Sequence, residues 1–378
     1  MINKYPYYLN LVIIIVFLLV FATSCKKGSS PSPSGSSASS NYATMGLYEY
    51  GDGTNRRIYV NITSVGTVTG FNYPSVFDTG STGMTIDATG LVPASMITSS
   101  GFSFTGDSTV VNGITITSKS YVIAYGDVNT GTKEYGNLAY ATVKAGDSNG
   151  SVTTTRIPFF LYYKAVDLST GKSLTAHSND VFGVASGNAI LQNSSGTYVN
   201  SAIASPLSYF SLPSGLTNGF KLALLDNTKF TTTNLTYVPG LLTMGLTSTD
   251  LTSSGFIMHP LTSYTLGGYS PDITGTVIYN GTTVAATILL DTGTPSVSIL
   301  ENANATANVT TLAANSTVQI TTSQGFTYSY TVTSNYNSSV VEKTSYSQDI
   351  RTIFSIDFFI SNEYLMDYTN HQIGLKNN

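Results

Sequence analysis

Ser75-Val-Phe-Asp-Thr-Gly-Ser-Thr-Gly-Met-Thr-Ile86 and Ile288-Leu-Leu-Asp-Thr-Gly-Thr-Pro-Ser-Val-Ser-Ile299 are two copies of one pattern. Each has two apolar residues, then Asp-Thr-Gly, then a hydroxyl side chain, and an Ile eight positions after the Asp. A single Asp-Thr-Gly in a chain rich in Gly and Thr reads as a polar turn between strands. Two of them, each closing an apolar run, mark an internal repeat. The expected fold is therefore two related β lobes, each carrying an aspartate at the end of a buried strand.

The rest of the chain agrees with an all-β class. Of 378 residues, 41% are hydrophobic and 26 are Tyr, so a sizeable core is available and the composition is not that of a disordered chain. Residues that suit a pleated, half-buried surface dominate. Short alternating runs read as strands: Arg57–Thr63, Ile114–Thr117, Tyr121–Tyr125, Leu138–Val143 and Gly275–Val284. Within the last, Asn280-Gly281 is a type I′ hairpin signal. Helical periodicity is scarce, and 198–210 and 358–366 are its best candidates. Charged residues make up only 10%, with a net charge of -4, which leaves no basic footprint for nucleic acid.

Two aspartates brought face to face cannot both ionise cheaply, so they share a proton and titrate as a pair. Asp78 and Asp291 would then form an acid and a base side by side around one water. Thr79 and Thr292 are placed to bond across the lobe interface, while Gly80 and Gly293 leave room for the partner loop. Ser81 and Thr294 are placed to donate to the outer carboxylate oxygens.

On these residues the chain resembles the pepsin-like aspartic proteases, which have two β lobes, a D-T-G-[ST] loop in each and a substrate cleft between. Asn179-Asp-Val-Phe-Gly-Val-Ala185 is similar to the family's segment behind the first catalytic loop. Pro239–Gly245 looks like its strand near the lobe junction, and 358–375, ending in Ile-Gly-Leu, like its C-terminal run. The resemblance spans roughly 45–375 and implies an aspartic endopeptidase without a cofactor or a metal, active at acidic to mildly acidic pH. Its partner would be a polypeptide held in extended conformation, with the enzyme a monomer. It also implies a hairpin flap over the cleft, for which Tyr125-Gly126 is the first candidate and Tyr121 the second.

Four features depart from the family pattern. Pro295 follows Thr294, and Phe354-Ser-Ile356 stands where two apolar residues and a Gly are expected, so that Ile356 would crowd the packing behind Asp291. The family's usual Trp and disulfides are absent, and no basic propeptide precedes the lobes. These departures are the basis of the alternative reading, an inactive pepsin-like fold serving as a cell-surface peptide-binding or protein-binding module.

At the N-terminus Leu11–Ala22 is an uninterrupted apolar run of twelve. That is short of the roughly 20 residues a spanning helix needs and fits a signal-peptide core. It leads into Phe21-Ala-Thr-Ser-Cys25, which holds the only cysteine of the chain and resembles a bacterial lipobox. The expected organisation is a lipoprotein signal peptide at 1–24, a lipidated Cys25 with a Ser/Gly/Pro tether at 25–41, a first lobe at 42–249 and a second at 250–378. The expected address is extracytoplasmic, on an outer membrane or cell surface, with Lys26 in place of the Asp that signals inner-membrane retention.

Competing chemistries lack their signatures. The three histidines, His177, His259 and His371, have no H-E-x-x-H spacing, and no G-x-S-x-G elbow is present. Thr170-Gly-Lys-Ser173 lacks the upstream Gly of a phosphate loop and reads as a turn.

Overall fold

The computed structural model describes residues 42–126, 131–231 and 234–378. The proposed signal peptide, Cys25 and the tether lie outside the described residues. Among the described residues no helix is long and apolar enough to cross a membrane.

Strands account for nearly all of the regular structure, and they gather into two large sheets of eighteen and eight strands. The alternation in Arg56–Val65 places Ile58, Val60 and Ile62 in the core. By contrast, Val181–Val184 is buried at every position, as a strand covered on both faces must be. That strand positions the first Asp-Thr-Gly loop. It runs parallel to Val68–Asp78, with Val181, Phe182 and Gly183 opposite Val76, Phe77 and Asp78. It is also antiparallel to Thr82–Asp87, the strand that leaves the loop. The loop is therefore held on both arms by a third, fully buried strand.

The second sheet repeats this device. Arg351–Phe354 runs parallel to Thr282–Leu290, with Phe354 opposite Leu290, and pairs antiparallel with Val297–Glu301 through Ile353 and Ile299. The hairpin feeding it turns at Asn280 and Gly281, whose φ values of 46° and 76° are those of the expected type I′ turn.

Three expectations change. Residues 198–210 do not form a helix. Tyr198–Ala204 pairs as a strand with Asn188–Gln192, burying Ile203, and only Pro206–Ser208 makes a helical turn, capped by the Ser205 hydroxyl. Pairing with a neighbouring strand overrides a weak 3.6-residue pattern here. In 358–366 the helix is one turn, Phe358–Ser361, before Asn362–Asp367 continues as a strand. Finally, the sheets do not divide at 249/250. Ile257–Pro260, Asn362–Asp367 and Gln372–Asn377 belong to the larger sheet, where Asn362–Asp367 pairs with Thr217–Leu222. The C-terminal strands thus return to the first sheet, and 273–354 carries the second.

Candidate active site

Asp78 and Asp291 each stand where a buried strand ends and face each other across the two sheets. Within the first loop, Asp78 Oδ1 accepts from the backbone N–H of Gly80 at 2.8 Å and of Ser81 at 3.1 Å, and Oδ2 accepts from the Ser81 hydroxyl at 2.6 Å. The second loop repeats this. Asp291 Oδ1 accepts from Gly293 N–H at 2.7 Å and Oδ2 from the Thr294 hydroxyl at 2.6 Å. Backbone donors so placed fix each carboxyl plane.

The two threonines lock the loops to one another. Thr79 N–H donates to Thr292 Oγ1 and Thr292 N–H to Thr79 Oγ1, both at 3.0 Å. Their hydroxyls in turn donate across the interface, Thr79 to Leu290 O at 2.7 Å and Thr292 to Phe77 O at 2.6 Å. Both threonines are fully buried, so four hydrogen bonds satisfy groups that water cannot reach.

Asp78 and Asp291 lie close enough to act on one another. Burial, and after it the charge of Asp291, pushes the Asp78 carboxyl up to about 8. The pair is unequal in exposure as well, with Asp78 buried and Asp291 partly open. Two carboxyls so placed share a proton and titrate as a pair.

The departures in the second loop resolve differently from expectation. Gly183 faces Asp78, and a Cβ there would stand 2.7 Å from Gly83 O and 2.8 Å from Ser81 O. Continuing the Leu290–Phe354 register by one residue places Ser355, not Ile356, opposite Asp291. Ser355 fits because its N–H donates to the Ser298 hydroxyl at 3.2 Å. Ile356 sits one place beyond. Its N–H donates to Thr294 O at 3.0 Å and its side chain is wholly within the core, so it packs instead of crowding Asp291. Pro295 is followed by Ser296 at φ 39°, the place where the first loop has Gly83 at φ 88°.

Ile114–Tyr125 and Thr132–Ala141 form the expected hairpin, with Tyr125 paired to Thr132 at its end. Gly126, at φ 74°, is the last described residue of this arm. The Tyr125 phenol is pushed well up by burial and then by the charge of Glu134. Tyr121 lies further back on the same strand, opposite Gly136, against a small cluster that includes Ile123, Phe160 and Leu191.

Sequence reasoning missed Thr85, Glu134 and Asn179, which join behind Tyr125. One signal was present in a chain with so few charges. Glu134 falls on the same face of its strand as Gly136 and Leu138, the buried one.

No protein-family model matches the sequence, and no curated protein does. Among solved structures, the crystal structure of an aspartic proteinase from Irpex lacteus aligns over 89% of this chain and 98% of its own, with a TM-score of 0.53 and 16% identity. The fold is that of the pepsin-like acid proteases. At that identity the likeness speaks to the fold, and the residues around Asp78 and Asp291 must carry the chemistry.

Proposed function

We propose that the chain is an aspartic endopeptidase, lipidated at Cys25 and anchored to a bacterial membrane outside the cytoplasm. The observation that carries the catalytic reading is the dyad itself: two carboxyls, each against the partner loop's glycine and held by paired loops of the same design, an arrangement that leads them to share a proton. A pure binding module has no use for such a pair, since burying two carboxyls at one site costs stability.

The pair works with one proton between its two members. The ionised carboxyl takes a proton from a water seated between the two residues, while the water oxygen bonds to the scissile carbonyl carbon. The protonated carboxyl gives its proton to the carbonyl oxygen, which yields a neutral tetrahedral diol and no covalent enzyme intermediate. The diol collapses as the carboxyl that took the water's proton passes it to the departing amide nitrogen and a diol hydroxyl returns one to the other carboxyl. The C–N bond breaks and the dyad regains its starting state. An extended peptide would lie across the cleft beneath the 114–141 hairpin and gain main-chain hydrogen bonds from it.

The test is cleavage of a denatured protein by the full chain across pH 3 to 9, with and without pepstatin, beside Asp78→Asn and Asp291→Asn. Either substitution should reduce cleavage by about 10³ or more, since each removes one half of the acid and base pair. Cleavage that survives both substitutions overturns the dyad. A folded wild type that cleaves nothing favours the binding module.

A further inference from the structure

We infer that Glu134 is a positioning residue of this cleft, tying the 114–141 hairpin to the segments that hold the Asp78 loop through Thr85 and Asn179. The inference rests on the protease reading for its consequence and on the hydrogen bonds of Glu134 for its existence.

Glu134 is fully buried, on the inner face of the hairpin strand Thr132–Ala141. Its Oε1 accepts from Asn179 Nδ2 at 2.7 Å and from the Thr85 hydroxyl at 3.3 Å. Thr85 has one hydroxyl proton, and Glu134 receives it, so one buried carboxyl oxygen on the hairpin takes donors from two separate segments, Thr85 and Asn179.

Each link belongs to a part of the site. Thr85 lies on the strand that leaves the Asp78 loop. Asn179 precedes the strand Val181–Val184 that backs Asp78. Glu134 therefore bolts the hairpin to both supports of the first catalytic loop. No apolar residue at 134 could receive either donor, and the Asn179 amide and the buried Thr85 hydroxyl would be left without their acceptor.

Glu134 can accept both hydrogen bonds in either state, and its burial favours the neutral acid. The ionisable groups facing it are Asp180 ahead of Val181–Val184, Asp87 at the end of Thr82–Asp87, and the phenols of Tyr125 and Tyr162. Asp180 is itself engaged by Tyr162 and by His177, which donate to its two oxygens at 2.6 and 2.8 Å. Burial beside two further carboxyls holds the Glu134 acid well above its ordinary range. Its Oε2, which has no hydrogen-bond partner, is the place for the proton. Ionisation at high pH would put a third negative charge into this cluster and loosen the hairpin.

The test is hydrogen exchange of amides in 114–141, corrected for intrinsic rates, on the full chain as wild type, Glu134→Gln, Glu134→Ala and Thr85→Val. It needs no catalysis, so it decides the tie even if the wild type cleaves nothing. Glu134→Ala and Thr85→Val should lower protection there about tenfold and leave 273–354 unchanged, while Glu134→Gln, which keeps the acceptor, should recover most of it. Wild-type protection should also fall at alkaline pH and Glu134→Gln should not follow it. Where cleavage is measurable, the same two disruptive variants should raise KM more than they lower kcat. Wild-type protection in Thr85→Val overturns the proposal, and so does a Glu134→Gln hairpin as loose as that of Glu134→Ala. Should Glu134→Ala fail to fold, Thr85→Val alone decides.

Discussion

Gly80 lies so close to Asp291 that a Cβ on it would stand 2.5 Å from the Asp291 Cγ. Gly293 bears the same relation to Asp78, at 2.7 Å. These glycines are required by the partner loop and not by their own backbone angles. Gly80→Ala must therefore push the two carboxyls apart. Overpacking of this kind costs about 1–3 kcal/mol, which lowers Tm by several degrees. The effect on cleavage should be larger, about 10²-fold or more in kcat, because misplacing reacting groups by an ångström is enough for that. Calorimetry beside steady-state kinetics would show the two losses. Equal, small losses in both would mean that the carboxyls tolerate separation.

The proton of the dyad sets the upper limit of activity. With the Asp78 carboxyl pushed up to about 8, the singly protonated dyad persists well above the acid range expected from the family resemblance. The alkaline limb of kcat/KM should fall near pH 8, and Asp78→Asn should remove activity at every pH instead of shifting that limb. A limb below pH 6 would show that the dyad loses its proton far more readily.

Stability should follow acidity in the same direction. Burial, and in Asp78 the Asp291 charge next, raises Asp78 and Glu49 to about 8, and burial raises Glu134, Asp272 and Glu301 as well. A carboxyl raised on folding contributes stability below its unfolded value, near 4, and loses that contribution as pH climbs through the folded value. Asp250 and Asp349 work the other way. Burial opposes their charge, but hydrogen bonds from Lys221 and Arg351 hold them low, so their contribution is lost only below about pH 4. Tm should therefore peak at roughly pH 4 to 5 and decline toward pH 8. A Tm that rises steadily from pH 5 to 8 would contradict the raised set.

Much of this was legible in the sequence because it is written in local patterns. Asp78 and Asp291 announce themselves by repetition, and Asn280-Gly281 by the positive φ that a type I′ turn demands. The strand at Tyr198–Ala204 was not legible, since its partner Asn188–Gln192 decides its state and its own pattern does not. Nor was the place of Ile356. The register between Leu290 and Phe354 makes Ser355 the residue behind Asp291, and a register of parallel strands leaves no mark in either segment. Glu134 lay in plain view as a charge at an inward position, but its use depends on Thr85 and Asn179, each 45 or more positions away.

Ser296 is the strained residue of the second loop. It holds φ 39° while fully buried, and its hydroxyl has no hydrogen-bond partner. The first loop has Gly83 at the same distance from its Asp, at φ 88°. Ser296→Gly removes both the left-handed strain and the unpaired hydroxyl, at the cost of a more flexible unfolded chain. The net should be a stabilisation of about 1 kcal/mol, read as a higher urea midpoint with an unchanged slope. A lower midpoint would mean that the hydroxyl serves the loop.

Arg56 and Asp357 tie the start of the first sheet to the end of the second Asp-Thr-Gly support. Arg56 Nη1 donates to Asp357 Oδ1 at 2.6 Å, with both side chains buried, and the guanidinium lies over the Tyr336 ring at 3.4 Å. Asp357 also accepts from the backbone N–H of Asn337 at 2.5 Å. It directly follows Ile356, whose N–H holds Thr294, so the ion pair reaches the Asp291 loop through two residues. Removing one partner leaves the other charge buried and uncompensated, which costs about 3–5 kcal/mol. Arg56→Met and Asp357→Asn should each lower stability by that order, and the double variant by less than their sum. Because Asp357 supports only the second loop, kcat should fall in the folded fraction of Asp357→Asn while the Asp78 loop keeps its geometry. Urea unfolding of the four proteins, with activity normalised to folded protein, measures both effects. Strict additivity in the double variant would show that the pair is not coupled.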